Sequence, residues 1–370
     1  MREQMTGKER WLAALNMQPF DRFLFYPKYS VTFQNYLTGP MKSKTRDDII
    51  DWIGADDCGD VTQVGMEVRT HSSFDADITS HKKVFTYMTK YGTCRAVHSL
   101  DPNTNSFHPT EFPIKTVEDI KIMTAWYRDI TNKLNEDSLK RANEQAAALG
   151  DTTVLSSTVA PQNRSETSIM HFMEWLAGIV EGQFMLADYP DEVHELFDAI
   201  NDDMKSKVKL HAEYSPAEVL MIYENTSTTI ISPSQYAEYC AGTMDELAQI
   251  LHDHGKHFMI HMCGHLKNIL PHINNLKADS IEALTPPTVG DTDFVMARKA
   301  CPNKAFIGGT HATMWTSTPE KVIEYLDNQF QQLPHHRGII PSSGGEMPPI
   351  CPPEFIKKVT DFIKTYKVRC

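Results

Sequence analysis

No stretch of the 370-residue chain approaches the ~18 consecutive apolar residues of a membrane-spanning helix. The opening residues, Met1 to Arg10, hold no apolar core of the kind a signal peptide needs. Positive charge is also short: 36 Lys and Arg stand against 48 Asp and Glu, a net charge of −12. That balance excludes the basic face a nucleic-acid partner would want, and neither nucleic acid nor membrane is expected as a partner. Cysteine is sparse and unpatterned, with seven residues at 58, 94, 240, 263, 301, 351 and 370. An odd, dispersed set predicts reduced thiols in a cytoplasm, some of them metal ligands, rather than a disulfide framework. No Gly-x-Gly-x-x-Gly follows a strand, and no phosphate-cradling loop ends in Gly-Lys-Ser or Gly-Lys-Thr.

What the sequence does hold is a short stretch dense in ligands, His257-Phe-Met-Ile-His261-Met-Cys263-Gly-His265. Alternation puts His257, Met259, His261 and Cys263 on one face of a strand. Same-face neighbours lie roughly 7 Å apart, so an imidazole and a thiolate at the strand end can reach one tetrahedral zinc. Gly264 then breaks the strand. A buried Cys beside a hydrogen-bonded core His explains the segment equally well.

From residue 150 onward, strands alternate with helices at short spacing. Strands are expected at 152–159, 218–224, 257–263, 279–284, 305–309 and 338–341. The intervening helices include 190–209, 233–255, 291–300, 318–333 and one that closes the chain to Tyr366. Such alternation implies parallel strands joined by crossover helices. With the nucleotide-binding loops absent, a (β/α)8 TIM barrel is favoured over an open doubly wound sheet. A helix at 6–15, opened by Thr6, belongs to an N-terminal extension over residues 1–22. Residues 57–110 read as an antiparallel β-hairpin insertion, and 130–150 as helical. The whole, 1–370, is expected to be one domain.

In a barrel, polar residues at the C-terminal ends of strands carry the chemistry. That rule gathers Glu224, His261 and Cys263 as three metal ligands from neighbouring strands, with a fourth position for water or substrate. Backbone-bonded carboxylate at the barrel mouth is the alternative for Glu224. Glu282 lies within the next strand, His311 follows Gly308-Gly309, and Glu346 sits in the last loop. Cys351, in a proline-stiffened loop, is a further candidate ligand, as is Glu346. Glu166 reads as part of a solvated helix face.

Several of these segments carry a resemblance that covers nearly the whole chain. Met5-Thr-Gly-Lys-Glu-Arg10, Asp21-Arg22, His261-x-Cys263-Gly264, Gly308-Gly309 and Pro348-Pro-x-x-Pro352-x-Glu354 resemble the uroporphyrinogen decarboxylase superfamily. The His-x-Cys pair is similar to its zinc-dependent, corrinoid-linked methyltransferase branch. The resemblance implies a barrel whose mouth holds zinc and meets a separate cobalamin-carrying corrinoid protein; it also implies a homodimer. The decarboxylases hold their tetra-acid substrate with an arginine-rich N-terminal segment, whereas residues 25–33 here contain no arginine. Decarboxylation is disfavoured.

Thiol-specific members of the branch carry another Cys after the last strand, where this chain reads Ser342-Ser-Gly-Gly-Glu346. Without that thiolate the metal is a harder Lewis acid, suited to an ether oxygen. The resemblance therefore points to an aryl methyl ether O-demethylase, moving methyl from a methoxylated aromatic to Co(I) of the corrinoid. Tyr29, Asn225, Met314 and Trp315 are candidate substrate contacts, with packing an equal explanation for Tyr29, Met314 and Trp315. His311 or Glu346 would serve the leaving oxygen. A thiol methyltransferase of the same branch and a non-catalytic docking subunit remain as alternatives.

Overall fold

The computed structural model describes residues 4–29, 37–102, 106–161, 164 and 166–370. Residues 30–33 of the arginine-free stretch therefore lie outside the described residues. Seven parallel strands form one curled, TIM-like sheet in sequence order. They are β1 (Gly59–Asp60), β2 (Leu155–Thr158), β3 (Val219–Tyr223), β4 (His257–His261), β5 (Ser280–Leu284), β6 (Ala305–Gly308) and β7 (Ile339–Pro341).

The gap between β1 and β7 is spanned by the segment around Tyr26. Tyr26 makes an isolated parallel bridge to Ser342, and its N–H donates to Pro341 O (3.0 Å). On the other side Asp56 N–H donates to Phe25 O (2.8 Å). Where an eighth strand was expected, a single bridge stands. Pro27 and the left-handed Lys28 (φ 50°) stop the segment from extending a ladder.

The central strands β3, β4, β6 and β7 form because they are mostly apolar runs rich in branched side chains, which two-sided burial favours, whereas β1 (Gly-Asp) and β2 (Leu-Ser-Ser-Thr) are not. Leu220, Ile222, Phe258, Ile260, Phe306, Ile307, Ile339 and Ile340 are wholly buried. The crossovers begin where expected: Pro190 opens the helix Pro190–Tyr214, and Pro353 opens Pro353–Thr365. Near the N-terminus, Thr6 and Glu9 form a capping box for Gly7–Leu15. Arg10 on that helix donates to both oxygens of Asp21 (2.7 and 3.0 Å), and Arg22 grips Asp56 with two bonds of 2.8 Å. These motif residues thus latch the extension to the barrel.

The insertion is larger than a hairpin. Ser73–Ile78, Lys82–Thr89, Gly92–Asp101 and Ser106–Glu111 make a four-stranded antiparallel sheet. Gly65–Val68 pairs antiparallel with Thr131–Leu134, so residues 131–134, expected in a helix, are a strand. Gly59–Asp60, expected within the insertion, belongs to the barrel sheet. Every residue of Ser73–Ile78 is exposed, so that strand carries no apolar alternation to announce it. A partly buried ion network ties this insertion to the helices: Glu67 meets Arg164 (2.7 Å) and Lys207 (2.8 Å), and Asp203 meets both cations. Among the described residues, no helix is long and apolar enough to cross a membrane, and all seven cysteines are free.

Candidate active site at the mouth of the barrel

Parallel register sets three polar side chains level at the C-terminal ends of the central strands. His261 pairs with Tyr223 on one side and with Glu282 on the other. The Tyr223 and His261 rings lie 5.4 Å apart, centroid to centroid. Nδ1 of His261 contacts Oε2 of Glu282, and Lys28 Nζ meets the other oxygen, Oε1, at 2.8 Å. Burial alone would push the Glu282 carboxyl up, but Lys28 and His261 outweigh it and hold it down at about 2. An ionised carboxylate only accepts, so Nδ1 of His261 carries a hydrogen and Nε2 is the nitrogen left for a ligand.

Cys263 follows two residues on, beyond the last paired residue of β4, within hydrogen-bonding reach of the His261 side chain. Its thiol lies 3.9 Å from Asn225 Oδ1. Only glycine fits at 264, because a Cβ there would come within 2.4 Å of Thr226 O. That close approach packs the loops after β3 and β4 against each other and presents Cys263 beside His261.

Asn225 adopts a left-handed conformation (φ 52°) and faces away from Cys263 with its amide nitrogen. Nδ2 donates to Glu166 Oε1 (3.2 Å) and Glu174 Oε2 (3.3 Å). Glu166 is buried, contrary to the solvated face expected for it. Burial, and then the neighbouring Glu174, push its carboxyl well above the carboxylate range. Glu174 sits on a π-helical turn, Phe172–Leu176, which a helical repeat of 3.6 does not announce.

Glu224 does not join His261 and Cys263. Its side chain is wholly buried and accepts from Thr167 N–H (2.7 Å), Thr167 Oγ1 (2.6 Å) and Thr226 Oγ1 (3.1 Å). Burial pushes it up to about 7 in spite of those bonds. To bind a metal it would have to give up donors already in place. Among the described residues, no three His, Cys, Asp or Glu side chains are arranged to hold a metal ion. The imidazole–thiol pair nonetheless fits zinc, because the buried carboxylate behind His261 is the orienting partner a metal-bound histidine takes.

Glu282, on its side away from Cys263, also lines a cavity of about 300 Å³ with Tyr26, Lys28, Tyr29, Tyr223 and Glu346 among others; His261 and Cys263 themselves are not in that lining. Two expected contacts, Tyr29 and Glu346, therefore line it. Asn225, His311, Met314 and Trp315 do not. His311 is bonded to Thr313 Oγ1 (2.7 Å). Trp315 is wholly buried between Phe25 and Phe355 (5.8 and 5.7 Å) and donates to Thr310 Oγ1 (2.9 Å), so it packs the core. Met314 is half-buried against the same core. Cys351 is buried outside the cavity lining, its thiol pushed up to about 12. Lys28 escaped the sequence reading; only its contact with a strand far along the chain gives it a role.

Fold and site together define a TIM-like α/β protein with a polar, titratable mouth. The sequence profile of the uroporphyrinogen decarboxylase (URO-D) family matches residues 151–366, more than half of the chain, and the protein belongs to that family. Among solved structures, a methyltransferase from Methanosarcina mazei covers 97% of this chain and 98% of its own, with a TM-score of 0.60 at 11% identity. At that identity the likeness shows the fold. A putative vitamin-B12-independent methionine synthase from Listeria monocytogenes covers 61% of this chain and 68% of its own, with a TM-score of 0.36 at 9% identity. No curated protein sequence matches the chain.

Proposed function

We propose that the protein moves a methyl group from the oxygen of a methoxylated aromatic compound to Co(I) of a corrinoid carried by a separate protein, with zinc held by His261 and Cys263. The observation that carries this reading is the His261 ring beside a thiol, clamped at Nδ1 by Glu282, a carboxylate that also lines a cavity of about 300 Å³. Zinc bound there supplies Lewis acidity towards the ether oxygen. The chain's own residues do the rest. Glu282 fixes the His261 tautomer, and Lys28 steadies Glu282 from the far side. Asn225 holds its oxygen towards Cys263 and is itself held by Glu166 and Glu174. Tyr26, Tyr29 and Tyr223 offer ring faces to an aromatic substrate. The bond broken is methyl carbon to oxygen; the phenolate keeps the pair, and cobalt provides the pair for the new bond.

The cavity also weighs against decarboxylation of a tetrapyrrole. At about 300 Å³ it stands at the small end of small-molecule sites, which run from ~300 to 1,000 Å³. That size suits a single ring better than four pyrrole rings bearing carboxylates. The test is a spectroscopic assay of cob(I)alamin with a panel of methoxyphenols and the zinc-loaded protein. Formation of methylcobalamin is expected with at least one ether. Turnover confined to the reverse direction, from methylcobalamin to a thiol, would replace this reading with the thiol enzyme of the same branch.

A further inference from the structure

Two carboxyl groups meet at a single amide beside the candidate metal pair. Nδ2 of Asn225 donates to Glu166 Oε1 (3.2 Å) and to Glu174 Oε2 (3.3 Å), while its Oδ1 lies 3.9 Å from the Cys263 thiol. Glu166 and Glu174 are also close enough to interact directly. Charging both in a buried site is costly, so the pair holds one proton between them. The second oxygen of Glu166, Oε2, is buried and has no hydrogen bond among the described residues. Nor has Nδ1 of the buried His171, 3.4 Å away, whose Nε2 is bonded to the Tyr127 hydroxyl (2.5 Å). Burial, and then Arg164 and Lys207, push His171 well below the usual imidazole range, so the ring is neutral. Trp175 Nε1 donates to Glu166 (3.0 Å), and Glu224 adds like charge from the end of β3. None of these neighbours is a cation that could replace the proton.

We propose that Glu174 is the acid that protonates the leaving oxygen, and that Glu166 is the positioning partner that keeps a proton on the pair; this rests on methyl transfer taking place at His261 and Cys263. Glu174 is the member placed for the task. It is half-buried where Glu166 is closed off, and one amide separates it from Cys263. It also lies close enough to His261 for the two charges to interact. The π-helical turn Phe172–Leu176 sets it there, and such turns recur at functional sites. As the bond from methyl carbon to oxygen breaks, the oxygen keeps the electron pair and takes the proton from Glu174, leaving a neutral phenol. A phenolate, with a proton affinity near pH 10, outcompetes even a raised carboxylate for that proton. The pair is then doubly charged, which burial disfavours, and it takes a proton back from water through the open side of Glu174.

Two ethers whose phenols differ in acidity test this: methoxyphenol, with a weakly acidic leaving phenol, and methoxybenzonitrile, with a more acidic one. Their demethylation by cob(I)alamin is measured for the wild type, Glu174→Gln and Glu166→Gln, each zinc-loaded and with its zinc content determined. Glu174→Gln should slow methoxyphenol by about 100-fold and methoxybenzonitrile several-fold less, with zinc at the wild-type level. Glu166→Gln removes the like charge that keeps the proton on Glu174, so its rate should fall away at a lower pH than that of the wild type. A reading independent of turnover is the infrared difference between metal-free wild type and Glu166→Gln at pH 7, which should show the loss of a protonated carboxyl. Equal losses on both ethers in Glu174→Gln, or none, would overturn the inference and leave the methyl-transfer reading standing. So would an unaltered infrared band, or loss of zinc from a folded Glu174→Gln. A wild type that demethylates no ether would overturn the methyl-transfer reading itself, and this inference with it.

Discussion

His261 and Glu282 are register partners on adjacent parallel strands, and Nδ1 of the imidazole meets the carboxylate across the ladder. The pairing makes the tautomer of a candidate metal ligand a property of the sheet. Glu282→Gln keeps the shape and removes the charge that holds the Nδ1 hydrogen. Zinc affinity, measured by competition with a chromogenic chelator, should fall by about 10- to 100-fold with the fold intact. Unchanged affinity would mean that Glu282 serves Lys28 alone.

Glu224→Gln tests the separation of Glu224 from that pair. The amide nitrogen would face donors, Thr167 N–H or the Thr167 and Thr226 hydroxyls, that now give hydrogen bonds to a carboxylate. Urea denaturation should show a loss of about 1–3 kcal/mol, with zinc content held at the wild-type level. Loss of zinc from a stably folded variant would restore Glu224 as a ligand.

Trp315 and Met314 were expected near substrate and lie in or against the core. Trp315→Ala should cost about 3–5 kcal/mol in denaturant unfolding. Met314→Ala, at a half-buried site, should cost much less, and neither change should alter the relative affinities of different methoxyarenes. A shift in ligand preference in Trp315→Ala would return it to the site.

The insertion's ion network sets an acid limit on stability. Burial pushes the Glu67 carboxyl up, but Arg164 and Lys207 outweigh it, and the group stands at about 2 against an ordinary 4.5. A lowered carboxyl stabilises the folded state above pH 4.5, and that contribution fades as pH falls towards 2. Unfolding followed across this window should therefore show stability falling with pH. Glu67→Gln should be less stable at pH 7 and have a flatter profile between pH 4.5 and 2. An unaltered profile would place the acid sensitivity elsewhere.

Much of this was legible in the sequence, for local reasons. Thr6, Thr45 and Thr116 each cap a helix through a residue three positions on, a relation written in adjacent letters. The strands from Val219 onward are mostly apolar runs between turn residues and helices, so their order and parallel sense followed. The His261–Cys263 spacing put both donors at one strand end. What escaped depends on contacts between distant segments. Lys28 reaches Glu282 from the other end of the chain. Glu166 is buried only because Asn225, Glu174 and Trp175 surround it. The closing of the sheet by Tyr26 and Ser342 is one bridge, too short to leave a periodic trace. Glu224 sat at the right place in the strand, but Thr167, on another crossover, draws its carboxylate away.

The central claim is that His261 and Cys263 together hold zinc at the mouth of the barrel. X-ray absorption at the zinc edge of the loaded protein tests it most directly. The account predicts one sulfur at about 2.3 Å, with the remaining ligands nitrogen or oxygen at about 2.0–2.2 Å, and loss of the sulfur shell in Cys263→Ser. A first shell with no sulfur, or with two or more in the absence of added thiol, would contradict it.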